Sequence, residues 1–276
     1  MLRLQNRNYD QLYQMIKFFR HIRKSLLSKG NIGRYFTYAI GEIILVVIGI
    51  LIALQINIWN ERRKDNLREE AILSQLQEEY EANLQQLDEK MQLRSTIIQS
   101  GFTLVNYMDS SEPVNRDSLF FHLSNVVFDP TFDPVQNDLI SSGNIRLIKN
   151  NKLRRLLSNW SSDFVAVQEQ EKLNQSHVHE IMFPLFNELG ITRYVINGIW
   201  NKVGDPLFLL DKTSENLELE LGKSLNEIKA EDIISDIKLE GVVTSAISYN
   251  KLANLQSQAL HNRIVEIIDL IRSELK

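Results

Sequence analysis

One uninterrupted apolar run, residues 35–54, limits what this chain can fold into more than any other feature. It is twenty residues long, Glu42 is its only charged residue, and its centre (residues 43–54) is wholly apolar. As an α-helix rising about 1.5 Å per residue, twenty residues cross the roughly 30 Å hydrocarbon core of a bilayer. The run therefore predicts a transmembrane helix, which we place at residues 35–58.

The flanks of the run separate this interpretation from two alternatives. Tyr35 and Tyr38 stand at one edge and Trp59 at the other, where interfacial aromatic residues are enriched. A buried core helix does not explain these aromatic residues together with the basic residues that precede them. A cleaved signal peptide is disfavoured because the basic region is long, the apolar run exceeds about 7–15 residues, and no small-x-small cleavage site follows.

Charge is divided unequally on the two sides of this segment. Residues 1–34 carry eight basic residues and one acidic residue, or +7, whereas residues 35–60 carry −1 and residues 61–276 carry −10. The formal net charge of −4 hides this division. By the positive-inside rule, we expect a cytoplasmic N-terminus (residues 1–34) and a large acidic domain (residues 59–276) on the other side of the membrane. We expect no nucleic-acid partner.

Four short stretches resemble a known family. They are MIKFFR at residues 15–20, the run at 38–57, WNE at 59–61 and, more loosely, LISSGNI at 139–145. Together they resemble an uncharacterised family of single-pass membrane proteins of Flavobacteria and relatives, closely over residues 15–61. The resemblance implies a location in the bacterial inner membrane, with residues 59–276 in the periplasm, and it implies no activity. Its members usually begin near Met15, which makes residues 1–14 an extension or an upstream start.

The cytoplasmic part is expected to lie on the membrane surface. Residues 15–27 place apolar side chains at helical spacing and predict a short basic amphipathic helix on the anionic inner leaflet. Its basic residues are Lys17, Arg20, Arg23 and Lys24. About 34 residues are too few for a kinase or cyclase domain, so any inward signal needs a partner.

Three residues of the apolar run indicate a contact within the membrane. Glu42 and Gly49 are seven residues apart on one helix face, and Gly49 and Ala53 form a small-x-x-x-small pattern that permits close helix packing. This favours a membrane-protein partner or a homo-oligomer. The alternative is a tolerated polar residue near the interface, because such patterns are common in apolar helices.

The remainder predicts an all-α fold, a transmembrane helix followed by a helical bundle with long helices. Residues 59–108 form a stalk-like first helix with apolar residues at steps of three, four and seven, for which bundle packing is favoured over a free coiled coil. A second long helical stretch covers 152–189, ending at Gly190, and a last one covers 239–275.

Two connections between these helices receive more specific predictions. Asp133 is expected to cap a helix that has Pro134 at its first position and Gln136 as the reciprocal capping residue. Residues 191–212 are expected to form a loop or a short pair of strands, because they contain Gly and Pro without a helical pattern.

Residues suited to catalysis are few. There is no cysteine, which excludes thiolate chemistry and disulfides. His177 and Glu180 share a helix face and are weak metal candidates, but His179 stands at the wrong spacing for a helical zinc pair. We therefore assign no catalytic residue, no metal site and no cofactor.

Three functional hypotheses remain. The first is a non-enzymatic interaction, scaffold or sensor-accessory protein. The second is a metal-assisted envelope enzyme that uses His177 and Glu180, and the third is an accessory subunit of a transporter or secretion complex that contacts its partner through Glu42.

Overall fold

A computed structural model describes residues 32–135, 139, 142–201, 219, 221–222, 224–225 and 228–276. Lys17, Arg20, Arg23 and Lys24, the predicted surface-binding residues, lie outside the described residues. The chain divides into two units, Met1–Leu67 and Arg68–Lys276.

Helices make up the fold, and the described residues contain no strand. In chain order they are α1 (Ile32–Asp109), α2 (Arg116–Val126), a 3-10 turn (Asn144–Leu147), α3 (Asn151–Ser176), a π turn (His177–Met182), α4 (Phe183–Glu188), α5 (Thr192–Trp200), α6 (Ala230–Ile234) and α7 (Ile237–Glu274). The all-α prediction is confirmed.

The first unit contains the apolar part of α1. From Ala39 onward, α1 includes a stretch long and apolar enough to cross a membrane, and none of that stretch is buried. Leu51, for example, is 57% exposed. Because a soluble protein covers such a surface, exposure of this length of apolar helix fits a lipid environment.

Asparagine, aspartate and glycine residues set the ends of the bundle helices. Asn150 accepts hydrogen bonds from the backbone N–H groups of Lys152 (2.9 Å) and Leu153 (3.0 Å) and so caps α3. Asp236 caps α7 in the same way, through the Lys238 N–H. Gly190 ends the α4 region with φ of 69°, a conformation that favours glycine.

Paired residues fix the directions of the three long helices of the second unit. Along α1 and α3, Glu69 pairs with Lys149 just before α3, Tyr80 with Trp160 and Arg94 with Glu171, so the two helices run parallel. Along α7 the order is reversed, since Arg94 meets Ser257 whereas Glu81 meets Arg272. Parallel α1 and α3 require a connection that returns along the bundle.

The three helices enclose two separate apolar clusters. Cluster 1 combines Leu73–Leu87 of α1 with residues 153–167 of α3 and 260–271 of α7. Cluster 2 combines Ile97 and Leu104 with α2, the π turn, α4, α5, α6 and the first turns of α7. Each fully buried aliphatic side chain contributes about 1.5–3 kcal/mol, so these clusters are the main source of bundle stability.

Two expectations about the connections are wrong. Residues 131–135 have no helical structure, so Asp133 does not cap a helix that starts at Pro134. The Asp133 N–H instead donates a hydrogen bond to Gln86 Oε1 (3.1 Å). Gln136 lies outside the described residues. Residues 192–200 form α5 because Val195 and its neighbours pack against cluster 2, which outweighs the weak local helix signal. Residues 202–212, the rest of the predicted loop or strand pair, lie outside the described residues.

Candidate functional site

A layer of buried polar side chains separates the two apolar clusters. On α1 it lies between Leu87 and Ile97, on α3 it begins after Val167, and on α7 it lies before Leu260. Its members are Arg94, Glu171, Asn174, His177, Asn250 and Ser257, and the buried pair Ser100 and Asn125 lies beyond Ile97, beside cluster 2. Buried polar groups persist in a core only when they are hydrogen-bonded, so the pairing within this layer defines its role.

Arg94 and Glu171 form the centre of the layer. Arg94 is 1% exposed, its Nη2 pairs with the Glu171 carboxylate, and its Nη1 donates to Ser257 Oγ at 2.7 Å. The Phe132 backbone N–H donates to both carboxylate oxygens of Glu171, at 3.0 and 3.1 Å. Four elements therefore meet at one ion pair: α1, α3, α7 and the segment before Val135.

Burial and pairing act in opposite directions on the two charges. Burial raises the pKa of the Glu171 carboxyl, while Arg94, the Phe132 N–H and Lys90 oppose that rise. Burial likewise lowers the pKa of the Arg94 guanidinium, and Glu171 opposes it. The Arg94 guanidinium and the Phe132 N–H, which is shared between both oxygens, favour the ionised form of the Glu171 carboxylate, because an ionised carboxylate is an acceptor only.

Two asparagines and a histidine extend the layer. Asn250 donates to Asn174 Oδ1 (3.0 Å) and to the Ala246 carbonyl (2.9 Å), and Asn174 donates to the Phe128 carbonyl (3.3 Å). His177 Nε2 lies 2.8 Å from the Val242 carbonyl, which requires this nitrogen to carry the proton. These bonds join α3 to α7.

An extended segment, residues 128–135, lies across α1 and α3, and we call it the strap. Asn83 holds Val135 twice, accepting from its N–H (2.7 Å) and donating to its carbonyl (3.2 Å). Gln86 accepts from the Asp133 N–H, as described above. Side chains of the bundle thus make the main-chain hydrogen bonds that a neighbouring β-strand would make in a sheet.

The predicted metal candidates are not brought together. His177 is buried in the polar layer, whereas Glu180 is exposed. The expectation of a shared face is wrong because these residues begin a π turn, in which hydrogen bonds span five residues and the α-helical i, i+3 relation is lost. The exposed His179 instead places its Nε2 atom 3.1 Å from Oδ2 of Asp129. Within the described part of the chain, no three His, Asp or Glu residues form a group that could bind a metal ion.

The membrane-segment candidates lie on the exposed apolar part of α1. Glu42 is half-buried, while Gly49 and Ala53 are exposed. A Cβ atom added at Gly49 would meet nothing within 4 Å. Gly49 and Ala53 thus leave space on the helix surface, and their contact with a partner stays a prediction.

Several further side-chain atoms are buried without hydrogen-bond partners among the described residues, and two of these groups lie on or beside an aromatic ring. The Tyr80 hydroxyl is one, and burial raises the pKa of this tyrosine, with Glu79 and Asp163 adding to the rise. The other is the Nε–Nη2 edge of Arg116, whose guanidinium carbon lies 4.6 Å from the centre of the Tyr194 ring. The aromatic ring partly compensates this cation.

Comparison with known proteins gives one match. Residues 42–165 match a family described as a family of unknown function (DUF6090). No curated protein and no solved structure matches the chain. The match runs from Glu42 into α3 and includes Arg94 and the strap, but it ends before Glu171 and α7. The expected similarity to an uncharacterised family is thereby confirmed, while its occurrence in Flavobacteria and relatives and its single-pass membrane character stay predictions.

The polar layer was missed at the sequence level, although a signal exists. Arg94 follows Leu87 and Met91 at the spacing of the apolar face, and Glu171 follows Phe164 and Val167 in the same way. A charged residue at an apolar position on each of two helices indicates a buried pair, because an unpaired buried charge is costly.

Proposed function

We propose that this protein is a single-pass inner-membrane protein whose periplasmic helical domain binds a partner. The observation that carries the proposal is that two parts of α1 have different surroundings. One part of this helix exposes an apolar surface long enough to cross a bilayer, and another part contributes Leu73, Leu87 and Arg94 to a packed bundle.

The charge distribution supports the orientation. The segment before the apolar run carries +7 and the chain after residue 60 carries −10. Positive residues near a span remain on the cytoplasmic side during insertion. The bundle then lies in the periplasm, where its acidic surface is compatible with solubility.

The use of the buried polar groups supports binding over catalysis. Arg94 and Glu171 pair with each other, and His177 bonds a backbone carbonyl of α7. A general acid or base needs access to the proton of a substrate. These groups instead hold helices together, which suits a scaffold or a sensor-accessory protein.

Protease digestion of intact spheroplasts tests location and orientation together. A protein tagged at both ends should lose its C-terminal tag while a short N-terminal fragment stays protected. Lysed cells, in which both tags are digested, serve as the control. A C-terminal domain that survives digestion in spheroplasts would contradict the proposal.

The membrane segment supports a second candidate, an accessory subunit of a transporter or secretion complex. Glu42 lies in an otherwise apolar, exposed stretch, where an acidic residue costs about 2.5–3.5 kcal/mol unless it is compensated. A polytopic protein should copurify in mild detergent and disappear with Glu42→Leu. Unchanged copurification, or a self-association that persists in this variant, would remove Glu42 as the contact.

A further inference from the structure

The strap is bound as an extended peptide is bound. Four bundle side chains pair with its main chain: Asn83 at Val135, Gln86 at Asp133, Glu171 at Phe132 and Asn174 at Phe128. In peptide recognition, main-chain hydrogen bonds supply affinity and pockets for alternate side chains supply specificity. The arrangement along α1 and α3 has both parts.

From Thr131 to Val135, side chains of the strap alternate between exposed and buried, whereas residues 128–130 are half-buried. Phe132 is 1% exposed and Pro134 is buried, whereas Thr131, Asp133 and Val135 point to solvent, with Val135 50% exposed. This is the period-two pattern of an extended chain with one covered face. A single aromatic side chain is the main apolar anchor of the segment.

Weak anchoring sets the strap apart from the helices it covers. Segments with few buried apolar contacts and exposed hydrogen bonds open at lower free energy than the core. The helices α1, α3 and α7 contribute six, six and nine buried side chains to the clusters, whereas the strap contributes Phe132 and the partly buried Phe128. The strap is therefore expected to open without unfolding of the bundle.

We propose that the surface of α1 and α3 bounded by Asn83, Gln86, Glu171 and Asn174 is a binding site for an extended peptide. Residues 128–135 are its internal occupant, and the partner segment carries an aromatic residue in the place of Phe132. This inference rests on the proposed binding function and names the kind of partner. It requires no charged residue in the partner, because the site contacts its main chain.

A labelled peptide with the sequence of residues 127–135 provides the test, using the full chain in detergent. Phe132→Ala removes the anchor of the internal strap and should increase affinity for the peptide at least tenfold over wild type. Adding Asn83→Ala should reverse most of this gain, because the two main-chain bonds at the Val135 position are lost. A peptide with alanine in place of its second phenylalanine should not bind.

Phe121→Ala is the matched control, since Phe121 on α2 is an aromatic residue that is 51% exposed and lies outside the strap. It should bind the peptide no better than wild type. If Phe132→Ala keeps its helical circular dichroism and also binds no better than wild type, the proposal is wrong.

Hydrogen exchange of the wild-type chain gives a second measurement that does not depend on a variant. The amides of Phe132, Asp133 and Val135 should exchange at least about a hundredfold faster than buried amides of α3 and α7. Exchange of these three amides only with global unfolding would overturn the proposal. Either failure leaves the spheroplast experiment and the proposed function untouched.

Discussion

Two stretches of the same helix carry their apolar residues in different patterns and have opposite surroundings. Residues 43–54 of α1 are exposed throughout, whereas in residues 73–104 one face of the helix is buried in the bundle. An ionisable residue also stands where an apolar residue is expected, at Glu42 directly before the first stretch and at Arg94 within the second. The partner of Arg94 is the Glu171 carboxylate. The difference teaches that a continuous apolar run indicates a helix exposed to lipid, whereas an apolar stripe between polar residues indicates a helix packed against protein.

The ionisable residue of the bundle should give the largest effect. Arg94→Met leaves Glu171 buried without its cation, and we expect the free energy of unfolding of the bundle to fall by about 3–5 kcal/mol. Combining it with Glu171→Leu should recover most of that loss, because the double variant buries no charge. Denaturant titration monitored by circular dichroism measures both. Equal destabilisation by the single and double variants would show that the pair itself stabilises the fold.

Leucine truncation compares the two stretches directly. Leu87 is fully buried, so Leu87→Ala should lower the free energy of unfolding by about 2–5 kcal/mol. Leu51→Ala removes the same atoms from the exposed stretch and should leave bundle unfolding unchanged. The same titration in detergent measures both variants. A similar loss at Leu51 would mean that this stretch packs against protein.

Insertion of a charge distinguishes exposure to lipid from exposure to water. Leu51 and Leu255 are both 57% exposed. Leu51→Lys should reduce membrane integration, because a lysine near the centre of a span costs about 2.5–3.5 kcal/mol, whereas Leu255→Lys should have no effect. Carbonate extraction of membranes measures the integrated fraction. Equal extraction of both variants would contradict a transmembrane role for residues 43–54.

A surface pair should give the smallest effect. The Glu81 carboxylate accepts hydrogen bonds from Gln77 and Arg272, and these lower its pKa below the usual value. The contribution of Glu81 to the free energy of unfolding is therefore present above the ordinary carboxyl pKa, and it is lost as the pH falls through the lowered pKa of the folded protein. Glu81→Gln should cost about 0.2–1 kcal/mol at pH 7 and nothing in strong acid. Thermal unfolding at both pH values measures the difference, and a larger loss in acid would have the wrong sign.

Much of the helical framework was predictable because its determinants are local. The apolar spacing in α1 and α7 and the stop at Gly190 depend on neighbouring residues alone. A helix start at Asp133 and Pro134 was predicted wrongly, because these two residues carry a local helix-start signal although the chain is not helical up to Val135. Asn83, Gln86 and Glu171 override that signal from distant positions. For the same reason the π turn, which separates His177 from Glu180, has no local signature.

Because α1 and α3 are parallel and α7 completes the bundle with them, the order of the helices in the chain has a consequence for biogenesis. Antiparallel α7 completes both clusters, and its Ser257 is 163 residues away from Arg94 in the chain. Contacts of such separation form slowly, because a long loop must close before they contribute. During synthesis, the part of the apolar face of α1 that α7 covers therefore stays exposed until α7 has formed. A chaperone that shields exposed apolar helices during this interval would raise the yield of folded protein.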